Sequence, residues 1–457
     1  MSVVIFKDCT VFDGTSADLR EGMSVVVEND RIREVADRQV SVEGARVIEA
    51  KGKTLMPGLI DAHFHAIAAD PDLGKLENMP KMLLAQHARR FLEAALHRGF
   101  TSLRDAGGAD YGLALATEHG LIAGPRLFFA GRALTQTGGH GDFRSYEDGS
   151  SLSLCLCCRG GAALAQVADG VTEVRKAARE ELRRGATQIK IMASGGVASP
   201  SDPIDNLQYS DEEIAAAVWE AQSWGRYVMA HAYTPQSITR CLNHGVRSIE
   251  HANLIDEATA KLAAEKEAFV VPTLVTYDAL NRFGAGLGFP QVSLDKLQVV
   301  LSAGLKSLEV LRRAGVRTGF GTDLLGDMHQ HQSSEFSIRR EVMSAAEILI
   351  SATSVNAALV QKEGELGVVR AGALADLLLV DVGLFARYDL MDRVQPLRDA
   401  SGTMNGPPGL WLLLPQPAGG LPTIGGKAVP VIGSAQWARV PTAWIANAHR
   451  AGSRPAA

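Results

Sequence analysis

Between about Gly58 and Glu363, short apolar runs alternate with longer helical patterns, and several of the runs end on a single histidine or aspartate. Such alternation is what βα units feeding a parallel sheet look like in a sequence. Val171 to Arg184 places Val171, Val174, Ala178 and Leu182 on one helical face, and Thr187 to Met192 then reads as a strand. Ser210 followed by Glu213 predicts a capping box opening a helix over Asp211 to Trp224, with Tyr227 to Ala230 as the next strand. That strand delivers His231 to its C-terminal end, where a barrel of such units keeps its chemistry. Later units place His251 after Arg247 to Glu250, and Asp323 after Arg317 to Thr322.

The two ends of the chain have a different texture. Val3 to Phe6, Ser24 to Glu28, Ile32 to Val35 and Arg46 to Glu49 are short β-like runs separated by turn residues, and Gly367 to Val369 and Ala375 to Asp381 resume that pattern. The expected architecture is α/β: a (β/α)8 TIM-like barrel over 58–363, with a small discontinuous β-sandwich domain from 1–57 and 364–457. The last segment carries a tail, rich in Pro and Gly, from about Leu384. A chain of 457 residues, 46% hydrophobic and 21% charged, is long enough for both parts.

A net charge of -5 argues against nucleic acid as the main partner, since phosphate binding needs a concentrated basic face. Apolar runs such as Gly409 to Leu414 are too short to span a bilayer, and no signal peptide is evident at the start, so no membrane association is expected. The five cysteines, an odd number, read as reduced thiols and favour the cytoplasm. Cys155, Cys157 and Cys158 have no neighbouring histidine or cysteine pair to complete a tetrahedral metal site, so apolar filling or a loop with reactive thiols is the better reading.

His63 and His65 alternate on the strand Leu59 to His65, so both imidazoles share a face and form a metal pincer that needs partners elsewhere. Lys190, between Ile189 and Ile191, is either a buried ammonium paired with a carboxylate or a residue whose charge chemistry removes. His231 and His251 taken singly read as satisfied core histidines, and Asp323 as a turn or cap aspartate. Their shared position at strand ends favours a common site.

The ordered set Pro57-Gly58-Leu59-Ile60-Asp61-Ala62-His63-Phe64-His65, Lys190, His231, His251 and Gly321-Thr322-Asp323 resembles the amidohydrolase superfamily, over about residues 1–381. Thr137-Gly138-Gly139-His140-Gly141, Ile189 to Gly196, Ala230-His231-Ala232-Tyr233 and Val271-Pro272-Thr273-Leu274 resemble its imidazolonepropionase-like and prolidase-like branch. That branch includes dipeptidases and enzymes that hydrolyse ochratoxin A. The resemblance implies two divalent metal ions, zinc being the expected one, with His63 and His65 on the first, His231 and His251 on the second, and a carboxylated Lys190 bridging them. It implies a hydroxide shared between the metals that attacks an amide carbonyl, with Asp323 as ligand and proton shuttle.

His140 is then expected to stabilise the oxyanion or touch substrate, Tyr233 and Arg104 to meet a substrate carboxylate, and Leu324 to supply an apolar wall. Arg104 has the competing reading of an ion pair with Asp105 or a neighbouring strand. The expected substrate is a small amide: a dipeptide, an N-acyl amino acid or an ochratoxin A-like amide. A cyclic amide of imidazolone or hydantoin type and a non-catalytic barrel scaffold are the alternatives. By resemblance alone the protein is a homo-oligomer, up to an octamer. The chain departs from the branch after Asp381, where Gly425-Gly426-Lys427-Ala428-Val429 only faintly echoes the usual final hairpin.

Overall fold

The structure, a computed structural model, describes residues 3–144, 164–199 and 202–381 together with the short strands at 411–413, 423–424 and 427–428. Cys155, Cys157, Cys158 and most of the tail from Leu384 lie outside the described residues. In chain order the strands are β1 (Val3–Phe12), β2 (Leu19–Glu28), β3 (Arg31–Ala36), β4 (Arg46–Glu49), β5 (Lys53–Pro57), β6 (Leu59–Phe64), β7 (Phe100–Asp105), β8 (Arg126–Phe129), β9 (Ala133–Thr135) and β10 (Ala165–Val167). They continue with β11 (Ile189–Met192), β12 (Val228–Ala232), β13 (Ser248–His251), β14 (Phe269–Val271), β15 (Arg317–Thr318), β16 (Leu377–Asp381) and β17 (Trp411–Leu413).

The chain divides into two compact units, Met1–Gly58 with Gly364–Ala457, and Leu59–Glu363. The first holds one sheet of order β17-β16-β5-β1-β2-β3, with β4 paired to β1. Alternation along β1 and β2 buries Val4, Phe6, Val25 and Val27 in one apolar cluster, and Ile5 and Val26 in another. Thr423–Ile424 and Lys427–Ala428 pair antiparallel around Gly425-Gly426.

In the second unit every named strand pairs in parallel, in one sheet of order β6-β7-β8 and another of order β10-β9-β11-β12-β13-β14-β15. Strands β6, β7, β11, β12 and β13 are buried along their whole length, as parallel strands covered on both faces must be. The covering helices follow from their sequences. Ser210 and Glu213 form the predicted capping box of helix Asp211–Ser223, and Thr234 caps helix Pro235–Asn243, whose proline stands in the first turn where its missing N–H costs nothing.

Two local expectations change. Helix Gly170–Arg183 buries Val174, Ala177, Ala178 and Leu182, but Val171 is exposed, because it lies in the first turn beyond the edge of the covered face. Strand β15 stops at Thr318, not Thr322: from Phe320 onward the backbone bonds to β6 instead, with Ala62 N–H donating to the Phe320 carbonyl (2.8 Å) and Asp323 N–H to the His63 carbonyl (2.7 Å). That change of partner carries Asp323 to His63.

Candidate active site

His63, next to last in β6, has its Nδ1 2.7 Å from Glu250 Oε2. A carboxylate can only accept, so Nδ1 carries a hydrogen, and this turns Nε2 toward Asp323 Oδ1, 3.4 Å away. His65 repeats the device: Nδ1 donates to the Gly107 carbonyl (3.2 Å), and Nε2 stands 3.1 Å from the same Asp323 oxygen. His231 is fixed the other way round, with Nε2 donating to the Gly195 carbonyl (3.0 Å) and Nδ1 left as the lone pair. The strand register sets the next step, since Ala232 faces His251 across the β12–β13 pair. His251 binds Thr273 Oγ1 through Nδ1 (2.8 Å) and lies 3.9 Å from Asp323 Oδ2.

The result is a row of imidazoles. Ring centroids are 5.4 Å apart for His65 and His63, 4.8 Å for His63 and His251, 4.7 Å for His251 and His231, and 4.3 Å for the stacked His231 and His140. His63, His251 and Asp323 offer ligand atoms that all lie within 4.8 Å of one another. Two imidazole lone pairs turned on one carboxylate oxygen are mutually repulsive unless a cation or a proton lies between them, which is the donor set a divalent metal fits. His251 (φ 73°) and Asp323 (φ 53°) both adopt the left-handed region that side chains avoid, so the backbone is strained where these two side chains are presented.

Electrostatics favour the neutral imidazole at His231 and His251 and the carboxylate at Asp323. Burial, reinforced by the neighbouring imidazoles and Lys190, depresses His231 well below the usual histidine range, and burial does the same to His251. Burial opposes ionisation of Asp323, but His63, His65 and His251 outweigh it and keep the carboxyl far below its usual range. His65 is also disfavoured by burial as a cation, yet the Asp323 carboxylate raises it on balance. Lys190, nearly fully buried on β11, is pushed down by burial to about 8 despite the pull of Glu250 and Asp323. That leaves an amine far more available as a nucleophile than an exposed lysine.

Arg104 requires a correction. It is completely buried, donates to Ala62 O, Ser248 Oγ and both Glu250 oxygens, and so cannot meet a substrate at the mouth. Its carboxylate partner is neither Asp105 nor on an adjacent strand: Ala62 lies on the neighbouring β6, but Ser248 and Glu250 stand on β13 of the other sheet, where alternation turns both to one side. Leu324 is corrected likewise: it has no exposed surface and packs in the cluster that holds Tyr233, Tyr277 and Leu325, so it offers no open wall. Tyr233 does reach the row, edge-on to His231 at 4.8 Å, with its hydroxyl 2.9 Å from that of Tyr277.

Several participants escape a reading of the sequence. Glu250 ties His63 to Arg104, and Asp105 accepts from the N–H groups of Ala66, Gly107 and Ala109, fixing the turn whose carbonyl holds His65. Glu250 had a signal, a lone acid in a buried strand, of the same kind as Lys190. Thr273 was marked only as part of the Val271-Pro272-Thr273-Leu274 motif, and Tyr277, Ser199 and Asp202 had no signal, because only the fold brings them to the histidines.

Aspergillus niger ochratoxinase is 34% identical to this chain over 338 residues, 72% of this chain and 70% of the relative. A solved prolidase with N-methylphosphonate-L-proline bound is 49% identical with a TM-score of 0.82, covering 90% of this chain and 98% of that one. A Xaa-Pro dipeptidase solved with methionine in its active site is 27% identical, TM-score 0.77, over 86% of this chain and 97% of the other. The amidohydrolase family model matches residues 54–407. The chain therefore belongs to the amidohydrolase family, in its prolidase-like branch, and is a hydrolase.

Proposed function

We propose that this hydrolase is binuclear and cleaves the amide bond to a C-terminal amino acid, in a dipeptide, an N-acyl amino acid or an ochratoxin A-like amide. The observation that carries the proposal is the meeting of His63, His65 and His251 on the Asp323 carboxylate, with His231 next in the row. His63, His65, His231, His251, Asp323 and a carboxylated Lys190 would hold two divalent cations, zinc by the nitrogen-rich donor set. Bound there, the cations would supply Lewis acidity toward the amide carbonyl and an acidified water.

The chain's own residues do the rest. Asp323, ionised and on a strained turn, takes the proton of the attacking water and hands it to the leaving nitrogen, because an amide nitrogen departs poorly unprotonated. His140 contacts the substrate beside His231. Tyr277, by donating to the Tyr233 oxygen, would leave the Tyr233 O–H free for a substrate carboxylate. The relatives named for ochratoxin and for prolyl dipeptides support the substrate class.

At the level of the fold, the two parallel sheets are read as the arcs of one (β/α)8 barrel over 58–363, and the terminal sheet as a small β-sandwich from 1–57 and 364–457. A homo-oligomer, and a cytoplasmic setting that suits the reduced Cys9 and Cys241, complete the reading. The test is a hydrolysis panel of Xaa-Pro and other dipeptides, N-acyl amino acids, ochratoxin A and cyclic amides. Release of a C-terminal amino acid from linear amides is expected. Turnover confined to hydantoin or imidazolone rings would replace this substrate class by the cyclic one.

A further inference from the structure

The segment that follows β11 touches two of the imidazoles without being one of them. Its Gly195 carbonyl accepts from His231 Nε2 (3.0 Å), and its Ser199 Oγ lies 2.6 Å from His140 Nδ1. Ser199 in turn donates to Asp202 Oδ1. Ser199 and Asp202 are both almost entirely buried. Asp202 also accepts from Gly196 N–H (2.9 Å) and from Gln208 Nε2 (3.2 Å), while Gln208 Oε1 accepts from the backbone N–H of His140 (2.8 Å). A Cβ on Gly196 would overlap the His140 ring, so the ring lies flat against this backbone. Lys296, from helix Gln291–Arg313, gives its ammonium to three carbonyls of the same segment: Ser199 (2.8 Å), Gly196 (3.3 Å) and Asp202.

A serine hydroxyl has one hydrogen. Spent on the Asp202 carboxylate, it leaves Oγ only lone pairs to offer His140, so Nδ1 must bring the hydrogen to that contact. The opposite ring edge, Nε2, is the one left for substrate. This differs from the arrangement at His63 and His65, where a carboxylate or carbonyl receives Nδ1–H directly.

We infer that Asp202 and Ser199 are positioning residues that fix the tautomer and ring plane of His140, and that Lys296 holds the segment carrying them. The inference rests on the proposed role of His140 as a substrate contact, but the tautomer itself does not. Outer-shell partners that orient a functional imidazole are worth roughly 10–100-fold when removed.

The experiment is a double-mutant cycle with a spectroscopic arm. Ser199→Ala should lower kcat/KM by about 10-fold in the parent, with bound metal and thermal midpoint unchanged, and should cost almost nothing in a His140→Ala background, since the two act as one unit. Lys296→Met, which touches neither imidazole, should reproduce part of the loss. A Ser199→Ala effect of equal size with and without His140 would overturn the inference. In the spectroscopic arm, one- and two-bond nitrogen–proton correlations of histidine-labelled protein, with His140 assigned by its loss in His140→Ala, should show His140 protonated at Nδ1 in the parent and not in Ser199→Ala. The same Nδ1 signal in both proteins would overturn the inference whether or not the chain hydrolyses any amide, whereas an inactive parent with the expected tautomer change would count against the hydrolytic reading alone.

Discussion

Glu250 receives Arg104 on one side and His63 Nδ1 on the other, and all three are buried. Glu250→Gln should therefore do two separable things. It weakens the acceptor that orients His63, lowering metal affinity by about 10–100-fold in a chelator competition. It also leaves Arg104 as a buried charge without its counter-ion, which costs about 3–5 kcal/mol in denaturant unfolding. Asp323→Asn keeps the size of the side chain but removes its basicity, and steady-state kinetics should show kcat reduced by about 10²–10⁴-fold with a much smaller change in KM. The residues proposed as ligands were legible as candidates because each needs only a local pattern, an imidazole or carboxylate at the end of an apolar run. Arg104 was not, since Arg104-Asp105 in sequence gives no sign of which strand each side chain faces. Ser199 and Asp202 were not either, because their meaning arises only where His140 folds against them.

Among the elements, the passage from β15 to Asp323 shows how close packing places a side chain beside His63. A Cβ on Gly321 would stand 2.5 Å from Val271 Cγ1 and 2.8 Å from His63 Cβ, so only glycine lets this backbone lie against β6. Asp61 reinforces the contact by accepting from Thr322 Oγ1 (2.6 Å) and Gln332 Nε2 (2.8 Å). Gly321→Ala should lower stability by about 1–3 kcal/mol and reduce activity together with it, measured by thermal unfolding and turnover on one preparation. Full stability with full activity would show that the segment is free to move aside. Helix starts were the most legible part of the fold, because a capping box such as Ser210 with Glu213 is written within four residues. The early end of β15 was not, because the competing hydrogen-bond partner lies more than two hundred residues away on β6.

For the molecule as a whole, the buried histidines push stability upward with pH, against Asp61, Asp105 and Glu335, whose carboxyls burial raises. His329 is packed between Phe64 and Phe91, with ring centroids 4.4 and 4.5 Å away, and burial depresses it from 6.5 to about 3. Between those two values the unfolded chain binds the proton and the folded chain does not, so stability rises with pH. The contribution is present in full above 6.5 and is lost as pH falls toward the folded value. His231 and His251 act in the same sense, whereas His65, raised by Asp323, favours the fold on the acid side. When the metal-stripped protein is taken from about pH 7.5 to about pH 5, the unfolding midpoint of His329→Phe should move toward greater stability relative to the parent. The same change of midpoint in the parent and in His329→Phe would contradict the assignment of a neutral, buried His329.

The central claim is that one row of imidazoles, with Asp323 and Lys190, makes a binuclear hydrolytic centre. Metal content by elemental analysis tests it most directly, on the purified chain supplied with zinc and bicarbonate and on Lys190→Ala treated alike, each assayed for amide hydrolysis. The account predicts about two metal ions per chain with activity in the parent, and a loss of both bound metal and turnover in Lys190→Ala. A parent that takes up no metal and hydrolyses no amide, or a Lys190→Ala protein indistinguishable from it, would contradict the account.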